Sequence, residues 1–171
     1  HIRPAGRHIL TIGRELIANA STALLELVKN SYDADASEVS ISIEAKHAKS
    51  IRVSVQDNGH GMTRQTVVDK WMVPSTGDKL NRKVSPNGRV LQGRKGIGRF
   101  ASAILGNYMT LDTVADGKRT TLCLQWDMFE KAAYLDDVEV LIETQDTTDA
   151  NGTLIVIEGD WQFLAQWTVD Q

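Results

Sequence analysis

The stretch of sequence that decides the fold runs from Glu26 to Ala34 and reads Glu-Leu-Val-Lys-Asn-Ser-Tyr-Asp-Ala. Apolar residues recur at helical spacing over residues 12–32, which predicts one amphipathic helix. Glu26, Asn30 and Asp33 follow at steps of four and three residues, so the helix would carry them on one stripe. That stripe is either a solvated polar face or a site. In a site, Glu26 would serve as a general base on water, and the amide oxygen of Asn30 would complete the shell of a Mg²⁺ ion.

A second motif, Asp57 to Met62, reads Asp-Asn-Gly-His-Gly-Met and follows a strand-like alternation. Asn-Gly is a strong hairpin signal, but residues 63–70 do not alternate and favour a helix over a second strand. The alternative to a plain turn is a corner that binds a flat base. Asp57 would then accept a hydrogen bond from an exocyclic amine, and Gly59 and Gly61 would let the base approach the backbone.

A third motif, Gly93 to Gly98, reads Gly-Arg-Lys-Gly-Ile-Gly and precedes a helix predicted over residues 99–105. It ends a long segment, residues 74–98, that is rich in Gly, Pro and basic residues, and a loop of this length is usually functional. Glycine amides and a helix N-terminus together form a cradle for phosphate. The spacing is neither a dinucleotide fingerprint nor a Walker P-loop. The basic residues indicate an anionic ligand or, alternatively, a solvated cationic loop.

The rest of the pattern predicts the fold class. Alternating apolar residues predict two early strands, around Val39–Ile43 and Ile51–Val55, and Thr11 and Thr63 are candidate helix caps. Four later strands are expected, two of them joined by the hairpin turn Asp116-Gly117, over residues 108–114, 119–126, 138–143 and 153–158. This order predicts an α+β fold, a two-layer sandwich in which helices cover one face of a mixed, mostly antiparallel sheet.

Composition sets the class of protein. The chain has 171 residues and a formal net charge of −3, so it fits one domain and has no overall field that would recruit nucleic acid or an acidic membrane. No apolar run is long enough to form a membrane segment. The single Cys123 is expected to be a small core residue in a reducing cytoplasm. Because the chain begins without Met and stops soon after a strand-like run, we expect residues 1–171 to be the N-terminal part of a longer cytoplasmic protein.

The order and spacing of the three motifs resemble the ATP-binding boxes of the GHKL or Bergerat-fold ATPases. This superfamily contains gyrase, the ninety-kilodalton heat-shock chaperones, histidine kinases, and MutL-type and MORC proteins. Residues 26–34 resemble its Glu-x-x-x-Asn-x-x-Asp-Ala box, residues 57–61 its Asp-x-Gly-x-Gly box, and residues 93–98 its Gly-x-x-Gly-x-Gly box. Gly152-Thr153 is a weaker fourth match, so the resemblance spans most of the chain.

The resemblance implies a role for each matching residue. Glu26 would be the catalytic base, Asn30 the magnesium ligand and Asp33 a structural support. Asp57 would read the adenine amino group, with Thr153 assisting through a water. The other residues implied in nucleotide binding are Gly59, Gly61 and Met62 at the base, and Gly93, Arg94, Lys95, Gly96, Ile97 and Gly98 at the phosphates.

The resemblance also implies ATP and Mg²⁺ as cofactors, an ATP lid over residues 73–98 and a homodimer of the full-length protein. Glu26 favours the hydrolytic branch, because histidine kinases usually lack this Glu and carry a separate phosphoacceptor domain. We therefore expect magnesium-dependent ATP hydrolysis that drives a conformational or dimerisation switch acting on a client protein or DNA. Three alternatives stay open: a histidine-kinase-type catalytic domain, a non-hydrolysing ATP-gated interaction module, and a plain structural α+β domain.

Overall fold

The computed structural model of the chain describes residues 4–8, 10–11, 17, 19–46, 49–72, 83–93, 100, 102–165 and 167. The strands in this part are β1 (Val39–Lys46), β2 (Ser50–Asp57), β3 (Tyr108–Ala115), β4 (Lys118–Gln125), β5 (Ile142–Asp146) and β6 (Gly152–Asp160). The helices are α1 (Ala20–Asp33), α2 (Arg64–Thr66), α3 (Ser102–Leu105), α4 (Trp126–Lys131) and α5 (Trp161–Ala165). A π-helical turn, Val67–Trp71, continues α2, and a 3-10 turn spans Leu135–Asp137.

The six strands form one sheet in the spatial order β1-β2-β6-β3-β4-β5. Every neighbouring pair of these strands is antiparallel, so the predicted antiparallel character is confirmed, with no parallel pair among the described strands. The last of the described strands along the chain, β6, lies between β2 and β3. Asp57 therefore pairs with Thr153, and Thr153 pairs with Thr113, in one row across three strands.

One face of the sheet is buried against helices, which confirms the predicted sandwich. On β2, Ile51, Val53 and Val55 are buried, and the residues between them are more exposed. The core that this face shares with α1 and α3 includes Ala20, Ala23, Leu27, Ala103 and Leu105. Burying one side chain as large as Leu stabilises a fold by about 1.5–3 kcal/mol, so this core fixes α1 on the sheet. No helix in the described ranges is long and apolar enough to cross a membrane.

The start of the first helix differs from the prediction. Helix α1 begins at Ala20, and the side chain of Asn19 caps it by accepting a hydrogen bond from the N–H of Thr22 at 2.8 Å. Thr11 does not cap this helix, because its hydroxyl donates to the carbonyl of Arg7. The apolar spacing continues ahead of Asn19, and this is why a pattern alone extends the helix too far. Residues 12–16 of the predicted helix lie outside the described residues.

The position of Cys123 also differs from the prediction. The residue is exposed on β4, and its sulfur lies 3.7 Å from the hydroxyl of Thr110 on β3. Leu122 and Leu124 take the buried positions on either side of it. Because side chains alternate along a strand, the residue between two inward leucines must face outward.

Strand ends were predicted less well than strand positions. Trp126, expected to end a strand, begins α4 and packs against the rings of Phe100 and Phe129. Residues 138–141 are not strand, and β5 begins at Ile142. The turn at Asp116-Gly117 and the cap formed by Thr63 on the helix after the second motif are both confirmed.

Candidate functional site

The last turn of α1 joins the first motif to the third. Asp33 is only 5% exposed, and each of its carboxylate oxygens accepts a hydrogen bond from a backbone N–H. Oδ1 accepts from Gln92 at 2.7 Å, and Oδ2 accepts from Gly93 at 3.0 Å. These charge-assisted bonds compensate for burying the carboxylate. The first residue of the glycine motif is therefore fixed against the end of α1.

The next residue joins the first motif to the second. The carbonyl of Ala34 accepts a hydrogen bond from the N–H of His60 at 2.9 Å. Gly59 lies so close that a Cβ at this position would be 2.6 Å from the same carbonyl oxygen. A side chain at residue 59 would push the two motifs apart, so the glycine is required by their close approach. All three motifs thus meet at Asp33 and Ala34.

The second motif lies at the end of the row Asp57–Thr153–Thr113. Asp57 is half-buried, and its Oδ1 accepts a hydrogen bond from the N–H of Gly59 at 2.9 Å. The row lies on the buried face of the sheet. The next row on that face, two residues away on each strand, consists of the buried residues Val55, Ile155 and Leu111. The sequence places Asp57 and Thr153 far apart in the chain, and the sheet brings them together as direct cross-strand neighbours.

Gly61 and Met62 continue the loop across the end of β3. Gly61 has a φ of +68°, and a Cβ there would lie 1.9 Å from the carbonyl oxygen of Val114. The N–H of Met62 donates to the hydroxyl of Thr113 at 2.9 Å. The loop is consequently held by β3 on one side and by the end of α1 on the other, so its position relative to the row Asp57–Thr153–Thr113 is fixed.

Glu26 and Asn30 lie one helical turn apart on α1. The side chain of Glu26 is 25% exposed, and its Oε1 pairs with Nζ of Lys29 at 2.7 Å. Asn30 is half-buried. Within the described residues no group of three or more His, Cys, Asp and Glu could hold a metal ion. A divalent ion at this helix would need oxygens from a bound molecule beside Asn30, which fits Mg²⁺ because it keeps several waters and commonly binds phosphate oxygens.

A comparison with known protein families identifies the family to which these three motifs belong. A family model described as Histidine kinase-, DNA gyrase B-, and HSP90-like ATPase matches residues 18–153, which include all three motifs and Thr153. The chain belongs to this family. The resemblance seen in the sequence is therefore confirmed, and membership of the ATPase family supports ATP as the ligand.

Individual relatives share about a third or less of their aligned residues with this chain. The chaperone protein HtpG of Buchnera aphidicola is 28% identical over 92% of this chain, and a putative type II restriction enzyme, HgiDII of Herpetosiphon aurantiacus, is 33% identical over 60% of it. The chain spans only 26% and 16% of the length of these two relatives. A crystal structure of the N-terminal domain of a DNA repair protein shares the fold, with a TM-score of 0.52 and 19% identity over 92% of this chain and 40% of that one.

Residues 83–93, which belong to the lid predicted from the sequence, form a small hairpin. An antiparallel bridge joins Val84 to Val90. The hairpin is tied to Asp35, whose Oδ1 accepts from the hydroxyl of Ser85 at 2.5 Å and whose Oδ2 accepts from the N–H of Asn87 at 3.0 Å. Asp35 has a φ of +60°, a conformation that Asp adopts more readily than most residues.

Arg89 holds the same hairpin to the chain around the end of α1. Its Nη1 donates to the carbonyls of Ala36 at 2.7 Å and Tyr32 at 3.3 Å, and its guanidinium carbon lies 5.0 Å from the centre of the Tyr32 ring. Its Nε lies 3.8 Å from Oδ1 of Asp35. This use of donors, charge and ring stacking requires Arg rather than Lys.

Charge and hydrogen bonds at this hairpin shift the pKa of Asp35. Partial burial by itself would raise it, but the hydrogen bonds from Ser85 and Asn87 and the charges of Arg89 and His60 outweigh that effect. The pKa of Asp35 therefore lies below its ordinary value of 3.8. The hairpin is tied by the ionised form of this carboxyl group.

The described residues cover only part of the predicted phosphate site. Gly93 is buried and bonded to Asp33, whereas residues 94–98 and residues 73–82 of the predicted lid lie outside the described residues. Sequence reasoning missed the polar residues that hold the site together, namely Thr113, Asp35, Ser85 and Arg89. Only the second acid in Asp33-Ala34-Asp35 and the isolated Ser85-Pro86 ahead of a glycine gave a local signal.

Proposed function

We propose that the chain binds ATP with Mg²⁺ and hydrolyses it as the N-terminal ATPase part of a longer protein. The observation that supports this best is the convergence of the three motifs at the end of α1. Asp33 bonds the start of the glycine motif, and Ala34 bonds the Asp57 loop. A site assembled in this way would combine a base-binding corner, a phosphate loop and a helix that bears a general base, which are the parts that hydrolysis of a nucleoside triphosphate needs.

At the base end, Asp57 would accept a hydrogen bond from the adenine amino group, and Thr153 would assist through a water. Both are half-buried neighbours at the covered face of the sheet, where a charge-assisted bond is strong. Gly61 and Met62 would pack against the ring. The close contact of Gly61 with the Val114 carbonyl supports this position, because it holds the loop against β3 and so keeps the loop from filling the space proposed for the base.

At the phosphate end, the backbone of Gly93, Gly96, Ile97 and Gly98 would wrap the phosphates, and Arg94 and Lys95 would add charge. We propose that residues 73–98 act as a lid that closes over ATP. The hairpin at residues 83–93 is anchored to the rest of the fold, which supports a fixed attachment point for this lid. The hydrogen bonds that Gln92 and Gly93 donate to Asp33 would set where the glycine loop leaves the hairpin.

On α1, Glu26 would take the proton of the water whose oxygen attacks the terminal phosphorus, and ADP would leave as the phosphorus–oxygen bond breaks. Oε1 of Glu26 pairs with Nζ of Lys29 at 2.7 Å, which holds one carboxylate oxygen in place on the helix surface. Bound Mg²⁺ would neutralise charge on the phosphate oxygens, and Asn30 is the residue that would hold it. Removal of one general base typically costs about 10²–10⁴-fold in rate.

We further propose that ATP binding closes a homodimer of the longer cytoplasmic protein and that hydrolysis reopens it. The relatives support a longer protein, because the chain spans about a quarter or less of their length. The single Cys agrees with a reducing compartment, since it leaves no internal disulfide to form. The client, whether protein or DNA, would be bound by the other domains.

The experiment that tests this compares Glu26→Ala with a matched control, Glu143→Ala, in the longer protein and in the 171-residue chain. Glu143 is exposed on the edge strand β5, away from all three motifs. We expect Glu26→Ala to keep its ATP affinity in calorimetry and to lose about 10²–10⁴-fold of phosphate release. Glu143→Ala should match the parent in both measurements.

Other outcomes select other functions. Undiminished phosphate release by Glu26→Ala would remove Glu26 from the mechanism. ATP binding without any phosphate release by the parent would favour a non-hydrolysing, ATP-gated interaction module. Transfer of phosphate to a protein histidine would identify a histidine-kinase-type domain, and absence of ATP binding would leave a structural domain.

A further inference from the structure

Thr113 carries a hydroxyl whose hydrogen bonds are fully occupied. The residue is completely buried on β3, next to Thr153 in the row that ends at Asp57. Its Oγ1 lies 2.9 Å from the N–H of Met62, 3.2 Å from the carbonyl oxygen of Gly152 and 3.0 Å from Oγ1 of Thr153. A hydroxyl has one hydrogen to donate and two lone pairs to accept with, so three partners fill it.

Two of the three partners leave no choice about direction. The N–H of Met62 can only donate, and the carbonyl of Gly152 can only accept. The single hydrogen of Thr113 is therefore given to Gly152, and one lone pair is used by Met62. The remaining lone pair faces Thr153, so with the Thr113 hydrogen given to Gly152 the Thr153 hydroxyl is the donor of this pair.

We infer that Thr113 sets the base selectivity of the site by fixing the direction of the Thr153 hydroxyl. With its hydrogen committed to Thr113, Thr153 presents only lone pairs to a ligand. Asp57 likewise offers carboxylate oxygens, so the side chains of Asp57 and Thr153 present acceptors only. Thr113 is a positioning residue, because it acts through Thr153 and does not touch the ligand. The inference rests on the proposed ATP site.

An acceptor-only corner distinguishes the two purines. Adenine carries an amino group at C6, which donates to Asp57, whereas guanine carries a carbonyl oxygen there and would face the carboxylate. A water on Thr153 would give one hydrogen to Oγ1 and keep the other for an acceptor such as adenine N1. Guanine N1 carries a hydrogen, so two donors, the guanine N1–H and the hydrogen of that water, would face each other. A site built for one pattern rejects the other because its own buried polar groups are left unpaired.

The test uses three variants of the 171-residue chain and calorimetric Kd values for ATP and GTP. Thr113→Val keeps the shape and removes the hydroxyl, and Thr113→Ser restores it. Thr120→Val is the matched control, since Thr120 is an equally buried Thr on β4 whose hydroxyl lies 3.3 Å from that of Thr144. We expect Thr113→Val to lower the ratio of the GTP Kd to the ATP Kd by about 2- to 10-fold, the value of one hydrogen bond.

The ratio is the measurement that a purely structural role would not change, because loosening the loop would weaken both nucleotides alike. Thr113→Ser and Thr120→Val should keep the ratio of the parent. An unchanged ratio in folded Thr113→Val would overturn the inference and leave the ATP site standing. Failure of the parent to bind ATP would overturn both.

A measurement on the parent covers the case in which Thr113→Val does not fold. We expect NMR of the ATP-bound parent to show a slowly exchanging Thr153 hydroxyl proton with a nuclear Overhauser effect to the Thr113 side chain. A hydroxyl proton of Thr153 that contacts the bound base instead would show the opposite direction of donation and would overturn the inference.

Discussion

The proposed adenine-binding corner and the hairpin at residues 83–93, where the proposed lid is anchored, are held in place by different kinds of contact. Asp57, Thr153 and Thr113 take their positions from strand register, and the loop above them is fixed by glycines that touch backbone carbonyls. The hairpin at residues 83–93 instead depends on the carboxylates of Asp33 and Asp35. One region is positioned by steric fit within the fold, and the other by a few charged side chains.

This difference has a functional consequence. A region fixed by register can move only if the sheet unfolds, so it suits a corner that must read a base the same way each time. A hairpin held by polar contacts can detach while the core stays intact, as local openings do. Substitutions in the first region should therefore mainly lower the free energy of global unfolding, whereas substitutions in the second should also loosen the hairpin locally.

The largest effect is expected from Gly61→Ala compared with Gly88→Ala. Both glycines have positive φ, +68° and +82°, so both substitutions incur the backbone strain of about 1–2 kcal/mol. Only at residue 61 would the new Cβ also meet a backbone atom, the Val114 carbonyl oxygen, because nothing lies within 4 Å at residue 88. Urea unfolding should show a loss near this strain value for Gly88→Ala and a clearly greater loss for Gly61→Ala. Equal losses would mean that the loop over the base site is not sterically fixed.

A smaller effect is expected from Asp33→Ala. This change leaves the N–H groups of Gln92 and of the buried Gly93 without their acceptor, which should cost about 1–3 kcal/mol of unfolding free energy and speed hydrogen exchange at both amides. Asp112→Ala serves as the control, because Asp112 is a partly exposed partner of Arg119 and should cost no more than about 1 kcal/mol. Unchanged exchange at Gln92 and Gly93 would mean that Asp33 does not anchor the third motif.

The smallest effect is expected from pH, through Asp35. Its pKa is lower in the folded chain than the ordinary 3.8, so the hairpin is stabilised at pH above 3.8 and loses that contribution as the pH falls through the lowered value. Protection of the Asn87 amide against hydrogen exchange, measured relative to the intrinsic rate at each pH, should therefore fall below pH 3.8 in the parent. In Asp35→Asn this protection should already be low at neutral pH and should change little with acid. An identical acid response in the two proteins would assign the effect to another group.

Sequence reasoning found the parts of the site that lie in short motifs. The helix stripe, the Asp57 turn and the strand that begins at Thr153 were each readable because a repeat of two or 3.6 residues marks the element that carries them or leads into them. Thr113 was not readable, because its role comes from register between strands that are distant in sequence. Asp35, Ser85 and Arg89 were missed for the same reason, since their pairing joins two loops without periodicity.

The wrong predictions have equally local causes. Asn19 begins α1 because its side chain satisfies a free N–H, although the apolar spacing runs on before it. Trp126 begins α4 and its ring packs against those of Phe100 and Phe129, contacts that strand propensity does not anticipate. In each case a specific tertiary or capping contact outweighs a propensity that was identified correctly.

The central position of β6 determines when the domain can assemble during synthesis. The hairpin of β1 and β2 and the meander of β3, β4 and β5 can each form early, but among the described strands only β6 hydrogen-bonds the two halves together. A ribosome must therefore release residues 152–160 before the Asp57 corner gains its neighbour Thr153. Until then two unpaired strand edges, on β2 and β3, stay exposed to other chains, which makes the nascent chain most prone to aggregation just before its last strand appears.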